Sequence, residues 1–314
     1  MAVTDRRAVR GLLVLGASLA ICALALRVSA AAAAPAGAIT EFSAGLADGS
    51  APSDITPGAD GNIWFTDDGT TPAIGRITPT GTITEFSTGL NPGSRPRGIT
   101  VGTDGNLWFT DHGTTRAIGR ITPTGTITEF SAGLNPASAP IAIAPGPGGD
   151  LWFTDQGSTP AIGRITPSGA ITEFSTGLKP GAKPRWIVAG ADGDIWFTDQ
   201  GSTPAIGRIT PSGAITELST GLNPHSEPRN ITAGPDGNLW FTDEGEPAAI
   251  GRIAPSGTIT EFSTDLNPGS APAGIAPGPD GNLWFTDHGT TPAIGQITPT
   301  GAITEFSAGL NTKS

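Results

Sequence analysis

The tetrapeptide WFTD occurs six times, beginning at Trp64, Trp108, Trp152, Trp196, Trp240 and Trp284, and every interval is 44 residues. A period of this length, free of insertions and deletions, predicts a propeller or solenoid whose units bury their apolar faces only against neighbouring units. One unit, Arg95 to Phe130, contains four short β-type runs: RGITVG, NLWFT, AIGRIT and TITEF. They are separated by TDGN, DHGTTR and PTGT, whose Asp-Gly and Thr-Gly pairs place glycine where a tight hairpin wants positive φ. No unit carries a ten-residue run with helical apolar spacing. The expectation is all-β: a six-bladed β-propeller of four-stranded antiparallel blades. Links such as STGLNPGSRP then lead from the outermost strand of one blade to the innermost strand of the next. A β-helix is the alternative architecture, but its turns come at much shorter repeats.

Blade number follows from counting. Six WFTD strands stand beside seven ITEF-like strands, the first at 39–42 and the last at 303–306. Seven full units need about 308 residues, more than the roughly 284 left after residue 30. Six blades fit, and a seven-bladed-like ring with an incomplete blade is the alternative. The spare N-terminal ITEF resembles an outermost strand, so Ile39–Phe42 and Ile303–Phe306 compete to close the ring. The 46 glycines and 29 prolines would suggest disorder without a period; with one, they read as turn punctuation. Seven Trp and twelve Phe argue for a packed interior.

The N-terminus reads as a targeting segment. Arg6, Arg7 and Arg10 precede the apolar run Gly11 to Leu26, and small residues follow, with a cleavage site such as Val28-Ser29-Ala30. The run is about 16 residues, short for a membrane span of roughly 20, so a cleaved signal peptide (1–30) is favoured over an anchor. A short linker (31–38), a single propeller domain (39–310) and a tail (311–314) complete the expected organisation, with a secreted, periplasmic or cell-envelope location. The one cysteine, Cys22, leaves with the signal, which removes disulfides and thiolate metal sites from consideration. Cleavage after Ala30 leaves 13 basic and 27 acidic residues, net −14. That balance disfavours nucleic acid and anionic membrane surfaces as partners.

In a propeller the interblade links and the turns after WFTD share one face, and loops on a rigid scaffold carry function. Directly after the link proline stand Ser53, Arg97, Ile141, Arg185, Arg229 and Ala273. Directly before it stand Ala51, Arg95, Ala139, Lys183, Glu227 and Ala271. Directly after WFTD stand Asp68, His112, Gln156, Gln200, Glu244 and His288. Arg97, Arg185 and Arg229 are therefore expected to ring the channel mouth as a basic, substrate-binding funnel in an acidic protein. The competing expectation is that they pair with the Asp ring of WFTD. Those Asp residues are read as turn caps before metal ligands.

The repeat LWFTD followed by IGRITPSGxITEF resembles the streptogramin B lyase family across essentially the whole chain after the signal segment. The resemblance implies a β-propeller, usually of seven blades, and an Mg²⁺-assisted elimination that opens a cyclic depsipeptide at its ester C–O bond without water. It implies a histidine directly after the link proline in two neighbouring blades, with one metal-holding Glu just before that Pro-His pair and another just past the WF strand. Here the motif is Glu227-Pro228-Arg229, so Glu227 and Glu244 match the metal carboxylates while Arg229 and Arg185 stand at the histidine positions. Arginine stays protonated near neutral pH and cannot replace a general base. His225, in the link before Glu227, is the candidate for a displaced acid–base. His112 and His288 read as solvated turn residues.

Two readings follow. The first is an exported propeller that binds a small molecule or peptide on its loop face without catalysis. The second is a carbon–oxygen lyase with Mg²⁺ on Glu227 and Glu244 and His225 as its acid–base. A six-bladed lactonase is a distant third, because no convergent Asp, Asn and Glu set is visible.

Overall fold

A computed structural model describes residues 41–308 and 310, and the propeller lies in a compact unit spanning Phe42–Ser314. The expected signal segment, linker and tail lie outside the described residues, as do Ile39 and Thr40. Blade 1 comprises β1 (Pro52–Pro57), β2 (Ile63–Asp67), β3 (Ala73–Ile77) and β4 (Ile83–Phe86). Blade 2 comprises β5 (Pro96–Val101), β6 (Leu107–Asp111), β7 (Ala117–Ile121) and β8 (Ile127–Phe130). Blade 3 comprises β9 (Pro140–Pro145), β10 (Leu151–Asp155), β11 (Ala161–Ile165) and β12 (Ile171–Phe174). Blade 4 comprises β13 (Pro184–Ala189), β14 (Ile195–Asp199), β15 (Ala205–Ile209) and β16 (Ile215–Leu218). Blade 5 comprises β17 (Pro228–Ala233), β18 (Leu239–Asp243), β19 (Ala249–Ile253) and β20 (Ile259–Phe262). Blade 6 comprises β21 (Pro272–Pro277), β22 (Leu283–Asp287), β23 (Ala293–Ile297) and β24 (Ile303–Phe306). Each blade is an antiparallel meander in chain order, so the six-bladed β-propeller expected from the period is what forms.

The repeat motif explains itself through packing. Alternation along β18 sends Trp240 to one face of its sheet and Phe241 to the other. Trp240 packs with Ile250 against Ile275, Leu283 and Phe285 of blade 6, whereas Phe241 packs under Trp196 of blade 4. Both rings are fully buried. Gly251 is required beneath Phe241, because a Cβ there would lie 1.9 Å from the ring. Arg252 covers Trp240 at 5.7 Å and donates to the Pro299 carbonyl of blade 6 at 3.0 Å. Phe262 stacks beside Trp240, centroids 5.8 Å apart, and the same guanidinium lies 5.3 Å from its ring.

The ring does not close as the first five junctions do. Innermost strands pack successively, β1 on β5, then β9, β13, β17 and β21, but β21 and β1 lack that contact. Five interblade apolar clusters result, one per closed junction. The residues of a sixth are present and exposed: Ile294 at 37% on blade 6, and Ile55 at 66% and Ile63 at 37% on blade 1. An apolar cavity of about 380 Å³ on blade 1 is lined by Phe42, Leu46, Ile55, Phe65, Ile77 and Ile83. Hydrogen bonds tell the same story. Thr66, Thr110, Thr154, Thr198 and Thr242 each donate to a carbonyl of the next blade, whereas Thr286 is exposed.

The described half of the first ITEF copy does not share the edge that the last one takes. Ile303–Phe306 pairs with β23 and completes blade 6, while Glu41 and Phe42 form no strand. Phe42 instead covers Gly81 in the PTG turn of blade 1, as Phe86 covers Gly125 in blade 2. It takes the place that an outer-strand Phe takes at four of the five closed junctions and Leu218 at the other, so ring closure by competition for one strand position is corrected.

Candidate functional site

Each inner strand bulges immediately after its link proline. In blade 5, Pro228 lies opposite Asp243 and Ile231 opposite Phe241, so one extra residue stands between them on β17. Such a bulge re-aims side chains and strips the ladder of local partners. The threonine of WFTD replaces them. Thr242 accepts the Asn230 N–H at 3.1 Å and donates to the Ala273 carbonyl at 2.7 Å, binding the bulges of blades 5 and 6 together. The same shift occurs in all six blades. It turns residues after the proline toward the axis.

Arg97, Arg185 and Arg229 accordingly converge. With Ser53, Ile141 and Trp186 they line a cavity of about 180 Å³ at the channel mouth. Burial depresses the pKa of all three guanidinium groups, and for Arg97 and Arg229 the neighbouring arginines depress it further. They nonetheless remain charged. The Asp ring does not neutralise them, which corrects that expectation. Asp243 Oδ1 accepts the Glu227 N–H at 2.6 Å and the Gly245 N–H at 2.8 Å, capping the link and the turn together. Backbone donors at both ends of the loop lie closer to the Asp than any arginine does.

A direct ion pair comes instead from the residue after WFTD, and for only one of the three; Asp68 and Glu227 act on Arg97 and Arg185 from farther away. Arg229 Nη1 pairs with Glu244 Oε1, and His288 Nε2 of blade 6 lies 3.6 Å from the same oxygen. Arg185 Nη1 donates to the neutral Gln200 Oε1 at 2.7 Å, and its Nε is buried without a partner. Arg97 makes no side-chain hydrogen bond among the described residues; Arg95, behind it, pairs with Asp68 at 3.2 Å. The rim is further stitched by Gln156 Nε2 to the Pro184 carbonyl at 2.9 Å and Gln200 Nε2 to the Glu227 carbonyl at 3.3 Å.

A second cavity, about 560 Å³, lies beside the first and shares Arg185 with it. Gln156, Lys183, Gln200, His225 and Glu227 line it, and both His225 and Glu227 are exposed. His225 thus shares a cavity with Glu227, as expected, but Glu244 does not line that cavity. The backbones of the two glutamates meet, Glu244 N–H to Glu227 C=O at 3.2 Å, while Glu244's carboxylate is held by Arg229. Mg²⁺ takes oxygen ligands in near-octahedral array. With one carboxylate committed to a guanidinium, these residues do not fit the ion as they stand. Among the described residues no group of three or more His, Cys, Asp or Glu could hold a metal.

The column after WFTD put Gln200 and His288 on the rim without assigning them a part in the site, and Trp186 was missed altogether. Gln200 and His288 belong to the variable column after WFTD, which was the available signal. Trp186 follows Arg185 in the bulge and had none.

Behind every blade lies a further carboxyl pair. Glu261 Oε2 accepts the Asn223 N–H at 2.7 Å, while its Oε1 is buried and meets Asp243. The equivalent Oε1 of Glu85, Glu129, Glu173, Glu217 and Glu305 is likewise buried without an ordinary donor. A proton on the glutamate, donated to the Asp, satisfies both. Burial first, and the neighbouring Asp second, push Glu129, Glu173 and Glu261 up to about 8, and Glu217 and Glu305 up to about 7.

Comparison with known proteins places this geometry. The model of the Virginiamycin B lyase family matches residues 27–220 and 132–313. A catalytically inactive histidine-to-alanine variant of virginiamycin B lyase from Staphylococcus aureus, solved with quinupristin, is 39% identical. That match covers 84% of this chain and 86% of the other, with a TM-score of 0.75. A protein from Lactobacillus plantarum is 18% identical over 81% of this chain and 83% of its own, TM-score 0.64. A gluconolactonase from Xanthomonas campestris is 14% identical over 76% and 83%, TM-score 0.56. These last two share the fold alone. No curated protein sequence matches.

Proposed function

The chain belongs to the virginiamycin B lyase family, and from that premise we propose that it is an exported member that binds a small molecule or peptide on its loop face instead of performing the elimination. The observation that carries this reading is the Arg229–Glu244 pair. Arginine stands where the family resemblance implies a histidine, and it occupies the carboxylate that the resemblance assigns to the metal. Arg185, at the other histidine position, is held by a neutral glutamine. Neither guanidinium can take or give a proton near pH 7. The binding surface comprises Arg97, Arg185 and Arg229 at the mouth and the adjoining cavity lined by Glu227 and His225. Net negative charge on the mature chain argues against nucleic acid as the ligand.

The second reading, supported by the 39% identity to a virginiamycin B lyase, keeps a carbon–oxygen lyase with Glu227 and Glu244 as Mg²⁺ ligands and His225 as the acid–base. It requires Arg229 to release Glu244. Incubating the purified protein with a cyclic depsipeptide, with and without Mg²⁺, separates the two. The binding reading expects no linear product by mass spectrometry and no Mg²⁺ heat in calorimetry. Mg²⁺-dependent linear product that disappears in Glu244→Gln establishes the lyase.

A further inference from the structure

The channel mouth is electrostatically incomplete. Three guanidinium groups from blades 2, 4 and 5 share one small cavity, and Glu244 neutralises one of them. Arg185 spends one donor on a neutral amide and leaves Nε buried without a partner, and Arg97 spends none on another side chain. Like charges gathered in a half-buried site repel one another, and desolvation adds to the cost. The bulge after each link proline fixes the arrangement, so the arginines cannot escape by a local register change. Two forks with no carboxylate in direct contact, Asp68 and Glu227 acting on them only at longer range, face one space and form a receptor for negative charge. Planar guanidinium groups bind carboxylate and phosphate oxygens bidentately.

Size restricts the ligand further. The mouth cavity is about 180 Å³, below the range of roughly 300–1,000 Å³ for a whole drug-sized ligand. It takes a head group. The neighbouring cavity of about 560 Å³, entered past Arg185, presents Gln156, Gln200, Lys183 and Glu227, a polar lining of mixed and nearly balanced charge. Trp186 and Ile141 add apolar surface at the mouth.

We propose that the Arg97–Arg185–Arg229 mouth binds a ligand through a dianionic oxyanion head group, a phosphate or a dicarboxylate, whose uncharged polar body lies in the adjoining cavity across Gln156 and Gln200. This deepens the binding reading above and rests on it. The two head-group sources share one chemistry, and separate titrations distinguish them.

The test is calorimetric titration of the full protein with inorganic phosphate and, separately, with succinate, at low and at raised salt. The expected result is one site for at least one of the dianions, weakened by salt. Arg97→Gln should weaken it tenfold or more without lowering Tm, because Arg97 makes no side-chain hydrogen bond among the described residues and its removal relieves repulsion at the mouth. Arg116→Gln, on an exposed turn of the same face but outside the lining of both cavities, should leave it unchanged. Phosphate alone binding identifies a tetrahedral head group, and succinate alone a dicarboxylate. No binding of either, or binding that survives both Arg97→Gln and Arg185→Gln in folded protein, overturns the proposal. Its failure would leave a neutral ligand on the same face possible. Depsipeptide turnover, by contrast, sinks the binding reading whatever phosphate does.

Discussion

Arg229 on β17 and Glu244, directly after β18, form an ion pair in blade 5, and His288 of blade 6 approaches the same carboxylate at 3.6 Å. The pair joins the residue after the link proline to the residue after WFTD, two columns that the fold brings to one rim. It converts what the family resemblance makes a metal ligand into a counter-ion.

Removing that counter-ion has two expected consequences. Glu244→Gln leaves Arg229 without its carboxylate, and the side chains keep 28% and 19% exposure. Discounted for that exposure, the stability cost is about 1 kcal/mol, read from urea unfolding. Phosphate affinity at the mouth should rise several-fold, because a third uncompensated guanidinium then faces the cavity.

Stability should fall as pH rises through neutrality. Glu129, Glu173 and Glu261 hold their protons to about 8, against 4.5 for an ordinary glutamate. Between those values the unfolded chain has lost protons that the native state keeps. Their stabilisation is therefore complete below about 4.5 and is lost progressively as pH approaches 8. In the other direction, hydrogen bonds to Asp104 and Asp236 hold those groups below the usual 3.8 despite some burial, so their contribution is lost in strong acid. Thermal unfolding should give a higher Tm near pH 5 than at pH 8.5.

A glutamine in place of one of these glutamates donates a hydrogen bond at every pH. Glu261→Gln should raise stability at pH 8.5 by about 1 kcal/mol or less and change it little at pH 5. Equal effects at both values, measured by denaturant midpoint, contradict a shared proton between Glu261 and Asp243.

The two ends of the ring should tolerate mutation differently. Trp240 is fully buried between blades 5 and 6, so Trp240→Ala is expected to cost about 3–5 kcal/mol. Trp284 occupies the same place in blade 6 with no blade beyond it, although it still stacks on Phe306 at 5.8 Å. Its replacement should cost less than half as much by urea unfolding. Thr242→Val and Thr286→Val should show the same ordering, since only Thr242 bonds across a junction.

The sequence carried the blades because Trp, Phe, Gly and Thr each do a repeated packing or hydrogen-bonding job, and repetition makes such jobs visible. Ring closure was not legible for the same reason. Ile55 and Trp284 are the residue types of every closed junction, and nothing local to them records whether a partner blade is present. The convergence of Arg97, Arg185 and Arg229 followed from their common place after the proline. Their counter-ion did not, because the choice between Asp243 and Glu244 depends on a one-residue bulge and on backbone N–H groups that bind the Asp first. His288 approaches Glu244 from a blade 44 residues further along the chain, a contact only the ring geometry creates.

Mass spectrometry of a cyclic depsipeptide held with the wild-type protein and with an Arg185→His/Arg229→His variant, both in Mg²⁺, tests the account most directly. The expected result is intact ring with wild type at any protein concentration, and linear product, if any, only where the imidazoles are restored. Linear product from the wild-type protein, dependent on Mg²⁺, would contradict it.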